Sequence, residues 1–386
     1  MDTAYLLDWA NLLLRWLHVI TVIAWIGASF YFVWLDNHLT KPEAEDLKAK
    51  GVDGELWAVH GGGFYNPQKY MLAPAALPKD LHWFYWESYW TWMSGFALFV
   101  VLYLANAGQM LVDPRVYAWG APWQAVCAAL GFLIVGWLLY DAACRVFGTA
   151  RDGAVLTASA VIVAVAAVLA CQLFAGRAAF VIVAAMIATW MTANVAHWII
   201  PGQRKVIASM RAGEKPDPIH GQRGKQRSVH NTWFGLPVLI GMLSNHYGML
   251  WQHPHNWAVL LVLMAAGVAI RIFFVQRHKG ASNWGAVVVA VGLLAGLVVW
   301  LAPKPVAAVA APVSTAQVLA IAQQRCVVCH GEALAQKGVR LDSLEALEQH
   351  RAQIHQQVVV QRVMPLNNAT GLTDDERALI ARWTTP

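Results

Sequence analysis

Two thiols three positions apart, with an imidazole directly after the second, stand at Cys326-Val-Val-Cys329-His330. At that spacing both sulfurs can form thioethers to the two vinyl groups of one porphyrin while the adjacent imidazole binds its iron. A sixth ligand is then expected downstream, and Met364-Pro365 supplies it. A thioether opposite a histidine raises the haem potential and suits an electron carrier. Zinc or a redox dithiol would use the same Cys-x-x-Cys spacing, but the sequence has no second ligand pair, and Met-Pro would be left without a role. The expectation is one haem c on Cys326, Cys329, His330 and Met364.

The elements around this motif read as a small soluble unit. A short helical stretch, QVLAIAQQR, leads into it, and GLTDDERALIARW near the end carries Thr373 with Glu376 three residues on, a capping box opening a terminal helix. Residues 316–386 resemble the cytochrome c family, of class I type. LAPKPVAAVAAPVST precedes them as a Pro/Ala tether, 304–315.

Everything before the tether has a different composition. Only 13% of the 386 residues are charged and 58% are hydrophobic, against roughly 25% charged in a soluble domain. Twenty tryptophans add to this, since aromatic rings collect at bilayer interfaces. The expected fold class is all-α: a polytopic membrane bundle over 1–303, then the cytochrome. Crossing a hydrocarbon core takes about 20 apolar residues, and eight runs qualify, at 11–35, 83–106, 121–141, 153–173, 178–200, 231–250, 256–276 and 283–302. Pro237 and Ser244-Asn245-His246 interrupt the sixth. With the N-terminus outside, the inner segments hold 17 Lys and Arg and the outer ones 2, the asymmetry that orients membrane helices. Eight spans also bring the C-terminus out. The chain is expected in a bacterial inner membrane, with its haem in the periplasm. The net charge of +6 sits in the inner loops and is no argument for nucleic acid. Of five cysteines, Cys127, Cys144 and Cys171 fall in apolar runs, so no disulfide framework is expected. MDTAYLLDWANLLLRW lacks a basic leader and a small-residue cleavage site, and reads as the first span.

Ionisable residues within such spans are functional candidates by default. They form two layers: Arg15, His18 and His246 toward the outside, and His82, Glu87, Asp141, His197, His230 and Asn231 toward the inside. His18, His197, His230 and His246 are candidate ligands of b-type haem, a relay that would connect an inner electron source to an outer haem. Ordinary interhelical hydrogen bonding is the plainer reading of each histidine alone.

The inner loop 36–82 carries His60-Gly61-Gly62-Gly63-Phe64-Tyr65-Asn66 with Lys69 beyond. Glycines allow backbone N–H groups to approach a ligand closely, or they simply make a turn. HGGG also occurs as an oxyanion motif, but no Gly-x-Ser-x-Gly nucleophile elbow accompanies it.

The runs WLHVITVIAWIGASFYFVWLDNHL (16–39), VHGGGFYNPQKY (59–70), LHWFYWESYWTWMSG (81–95) and SVHNTWFGLPVLIGMLSNHYGM (228–249), followed by a cytochrome c region, resemble the membrane-bound urate hydroxylase family (PuuD type) over essentially the whole chain. The resemblance implies oxidation of urate to 5-hydroxyisourate, with electrons leaving through the cytochrome to a downstream cytochrome or oxidase instead of to O₂. A planar purine anion asks for aromatic faces, cations and amide-type hydrogen bonds, and hydroxylation needs a base to activate water. Tyr65, Asn66 and Lys69 are the expected binders, with His60, His82 and Glu87 as base candidates. Two other classes compete. A substrate-free subunit carrying electrons from quinol to a terminal oxidase leaves the long inner loops without a role. A haem or copper transporter would need a polar path, whereas apolar stretches separate the two layers.

Overall fold

A computed structural model describes residues 3–71, 74, 76–302 and 313–384. The chain is all-α, 73% helical with 3% strand. Helices stand at all eight apolar runs: α1 (Thr3–His38), α2 (Trp86–Phe99), α3 (Pro122–Phe147), α4 (Asp152–Leu173), α5 (Gly176–Asn194), α6 (Pro218–Leu243), α7 (Asn256–His278) and α8 (Trp284–Trp300). Five stretches are long and apolar enough to cross a membrane: Trp9–His38, Pro122–Phe147, Asp152–Leu173, Gly176–Arg211 and Asn256–His278. Trp284–Trp300 is apolar but shorter. α2 is short and continues as a π turn, Val100–Leu104, while α6 begins in a polar sequence.

Two boundaries differ from the sequence reading. The fifth helix does not end near 200: it passes through a π turn, Val195–Ile199, into a further helix, Ile200–Arg211. Pro201 has no N–H to donate, and the wider turn before it accommodates that loss without breaking the rod. The sixth helix starts thirteen residues before the apolar run, capped by the Asp217 side chain on Ile219 N at 2.9 Å, and carries Pro237 internally. It stops at Ser244–His246, a 3-10 turn.

α5 is the axis of the bundle. Its apolar stretch is 83% buried, against 33–44% for the outer helices and 0% for α1, and α2, α3, α4 and α6 all pack on it. Trp190, Phe180, Ile182, Met186 and Ile187 are its buried contribution. α1 lies against α2, and α7 and α8 extend the bundle from α6.

The inner loop forms a bent ribbon in which Gly54–Glu55 pairs with Gln68–Lys69 and Ala58–His60 with Gly63–Tyr65. Gly61 and Gly62, both at positive φ (57° and 82°), make the two-residue turn at its tip. That conformation strongly favours glycine, so the HGGG run is accounted for by the hairpin.

After the segment 303–312, which lies outside the described residues and holds most of the expected tether, a second core forms. Here α9 (Thr315–Arg325), α10 (Leu344–Gln349) and α11 (Asp374–Thr384) bury Val318, Ile321, Leu347, Ile354, Ile380 and Trp383 together. The capping box is present: Glu376 Oε2 accepts from Thr373 N at 2.8 Å, and Thr373 Oγ1 from Glu376 N at 3.2 Å. Arg325 and Glu376 bridge α9 and α11 at 3.0 Å.

Candidate functional site

At the C-terminal core, one helical turn, Val327–His330, follows α9 and brings Cys326, Cys329 and His330 close together. His330 N donates to Cys326 O at 2.9 Å. His330 Nδ1 lies 3.2 Å from Val339 O. A carbonyl only accepts, so Nδ1 carries the proton and Nε2 keeps its lone pair, the arrangement that orients a metal-ligating histidine. Cys326 and Met364 both pack against the same apolar cluster. Burial pushes the Cys326 thiol up to about 11, with the neighbouring Cys329 and Glu376 adding to the rise. Arg377 donates to Met364 O at 3.2 Å and also to Val358 O, tying the backbone of the methionine segment to α11. Two thiols, one packed against the apolar wall and one exposed, with an imidazole that keeps a free Nε2 and a thioether on that wall, are a donor set that fits a covalent haem.

The segment around Met364 also touches the end of the bundle that the Lys and Arg asymmetry assigns to the outside, called the outer end below. Gln252 donates to Arg362 O, Asn367 Nδ2 to Gln109 O, and Arg115 to Asn367 O at 3.4 Å. Gly248 lies directly under Gln361 O, where a Cβ would collide with the carbonyl. Below this contact Tyr103 donates to Asn245 Oδ1 at 2.5 Å, and Arg177 to the same oxygen at 3.3 Å.

At the opposite end, the one expected inside and called the inner end below, helices α3 to α6 enclose a polar network. Arg227, 2% exposed, donates to Asp141 Oδ1 at 2.7 Å and Asn194 Oδ1 at 3.1 Å. Asp141 also takes Arg145 and Trp198 Nε1, each at 2.7 Å. Asn194 donates to Tyr140 OH at 3.0 Å and Asn231 Oδ1 at 2.9 Å. Tyr140 OH and His230 Nδ1 are 2.8 Å apart, and His230 Nε2 meets Asp152 at 2.8 Å. Gln226 joins Asp152 at 2.8 Å and Gly148 O at 2.9 Å. Such a network can hold charge away from water only because nearly every member is partnered.

Of the inner layer read from sequence, the structure gathers Asp141, His230 and Asn231 here. Sequence reading passed over Tyr140, Asp152, Asn194, Trp198, Gln226 and Arg227. The signal available was helical spacing: Arg223, Arg227 and His230 recur at steps of four and three, and Asp141 and Arg145 stand four apart.

The expected binders and bases lie elsewhere on the inner side. His60 is exposed on the hairpin, and Tyr65 is 54% exposed. Asn66 donates to Glu55 at 2.9 Å, and Lys69 pairs with Asp36 at 2.7 Å. His82 is exposed with its ring against Phe84, and Glu87 is half-buried in the first turn of α2. No side-chain hydrogen bond or ion pair joins any two of these six among the described residues. Among the histidines considered for haem b, His18 Nδ1 meets Thr91 O and Ser94 Oγ at 3.1 Å, and His197 Nδ1 meets Ala193 O at 3.1 Å. Both therefore leave Nε2 without a hydrogen bond among the described residues. His230, with both nitrogens engaged, does not. His246 is exposed at the outer end.

Two cavities open at the inner end. One, about 680 Å³, is a groove between Lys79–Trp83 and Arg204–Arg211. The other, about 250 Å³, lies beside the buried network.

A protein-family model described as "Urate oxidase N-terminal" matches residues 4–302. No curated protein and no solved structure matches the chain.

Proposed function

We propose that this chain, which belongs to the urate oxidase N-terminal family, oxidises urate at the inner end of its bundle and releases the electrons through haem c at the outer end. The observation that carries this reading is the union, on one polypeptide, of the family region with a Cys326/Cys329/His330/Met364 cradle whose methionine segment touches the bundle. The proposal includes eight spans with both termini outside, a bacterial inner membrane and a periplasmic cytochrome. A downstream cytochrome or oxidase completes it as the acceptor.

The chemistry balances with water as the oxygen source. Urate monoanion and water give 5-hydroxyisourate, one proton and two electrons: a C5–O bond forms, an O–H bond of water breaks, and the purine is oxidised. Haem c, when bound, supplies a one-electron acceptor, so each urate reduces it twice. Inner site and outer haem stand about a bilayer apart, roughly 30 Å, and a relay belongs to the proposal. A b-type haem would be held by His18 or His197 and would supply such a relay.

The bundle must orient the purine, admit one water and remove one proton. His60, His82 and Glu87 on the loop side, and the buried Tyr140–His230–Asp152 chain, are the two sets able to take it. The second set is favoured because its members are hydrogen-bonded to one another at 2.8 Å, with Asp152 reaching the rim at 40% side-chain exposure. A proton accepted by the Asp152–His230 pair can leave to the inner solvent.

The test is an anaerobic spectrum of the purified, haem-loaded full chain with urate added. Growth of the reduced c-type α band with urate alone is expected, two haems reduced per urate consumed. Reduction by quinol and not by urate would replace the proposal with the electron-carrier reading.

A further inference from the structure

The smaller inner cavity is ringed by Arg145, Arg223, Arg227, Trp198 and Gln226, with the turn Phe147–Ala150 closing one side. Its lining holds three guanidiniums and no carboxylate. Asp141, behind the wall, partners Arg145 and Arg227. Arg223 has no ion pair among the described residues. The Arg227, Arg145 and Arg223 Cζ atoms stand 4.8, 5.1 and 5.7 Å from the Trp198 ring centre. Asp141 balances two of these cations, and the third, Arg223, is left on the same indole without an anion.

We infer that this cavity binds a planar heterocyclic monoanion, and, resting on the function proposed above, that the ligand is urate. Charge selects an anion. Shape selects a flat one, because the surfaces on offer are an indole and guanidinium planes held against it. At about 250 Å³ the cavity lies just below the range of pockets that take drug-sized ligands, which suits a bicyclic purine. Position ties it to chemistry: Gln226, a lining residue, is bonded to Asp152, which is bonded to His230. The Asp152–His230 pair is thus one side chain away from the bound ligand. The larger groove has lysine and arginines too, but Asp80 shares its lining.

Binding can be read without turnover. The full-length, haem-loaded protein is held fully reduced with dithionite, and radiolabelled urate is titrated by equilibrium dialysis. Arg223→Gln, at an exposed position without an ion pair, is expected to weaken urate about tenfold, and Arg145→Gln/Arg223→Gln about a hundredfold, the loss of one and two charge-assisted contacts. Arg204→Gln, in the larger groove, is expected to leave affinity unchanged. An unaltered c-type spectrum and melting temperature certify folding of each variant. Wild-type affinity in both arginine variants overturns the site while the proposed function stands, and weakening by Arg204→Gln or Lys69→Gln alone relocates it. Loss of co-purifying anionic phospholipid from the variants, with urate binding intact, makes the cavity a headgroup site and overturns the inference. A wild-type protein that binds no urate sinks both the site and the function.

Discussion

The cytochrome cradle and the inner polar network are built on opposite principles. The cradle draws its residues from 326 to 364 and sets one thiol, Cys326, and the Met364 thioether against an apolar wall, with Cys329 exposed beside them. The ion pair that joins α9 to α11, Arg325–Glu376, is partly exposed, with side chains at 26% and 19%. The inner network draws on four helices and hides Arg227 and Asp141 at 3% and 10%. Under the proposed function, electron exchange asks the first set of ligands to stay unchanged while the metal changes charge, whereas binding an anion and moving a proton asks for groups that do change and are held by each other.

That contrast can be broken by substitution. The largest effect is expected from Cys326→Ala/Cys329→Ala: covalent haem disappears and urate-driven reduction falls to background, while urate affinity by dialysis is unchanged. Loss of urate binding in this variant would mean that the two ends are not separable. Next comes Asp141→Ala, which strands Arg227 and Arg145 and should cost about 3–5 kcal/mol as a broken buried pair. Denaturant unfolding followed separately by tryptophan and by the haem band should show the bundle melting early and the cytochrome unmoved. His230→Gln should lower urate turnover about 10²-fold, the low end for losing a proton acceptor. Its KM should be unchanged and the pH–rate profile flattened, and the same loss in His60→Ala instead would move the base to the loop.

Smaller effects sharpen the picture at the cytochrome end. Gly248→Ala pushes a methyl group at Gln361 O, and should slow haem reduction several-fold by stopped flow without altering urate affinity. Burial opposes ionisation of Glu376, but the hydrogen bonds from Thr373 and Arg325 outweigh it and hold the carboxyl below its usual range. The stabilisation is therefore complete above the normal glutamate value and is lost as pH falls through the lowered one. Glu376→Gln should remove that acid dependence from the cytochrome's melting curve, at a neutral-pH cost under about 1 kcal/mol for a partly exposed pair.

Legibility in the sequence follows the same division. The cradle is contiguous, so spacing alone displays Cys326, Cys329 and His330, and the Thr373–Glu376 cap is a four-residue pattern. Helix positions follow from apolar runs, but ends do not: hydropathy is blind to the π turn that carries α5 past Pro201 and to the polar first turns of α6. The glycines of the hairpin show how one signal serves two readings, since a two-residue turn and a ligand cradle both ask for positive φ. Arg227 and Asp141 lie 86 positions apart, and no local pattern joins residues that meet only after four helices pack.

The slight contact between the cytochrome and the bundle has a last consequence. Gln252, Asn367 and Arg115 make a few hydrogen bonds around Gly248, far less than two free proteins need to find and hold each other. Here both parts belong to one chain, so most of the entropy of association is already spent. Under the proposed function, donor and first acceptor would then meet at a rate independent of dilution, and an interface this weak would open between turnovers to free the haem edge for the next carrier.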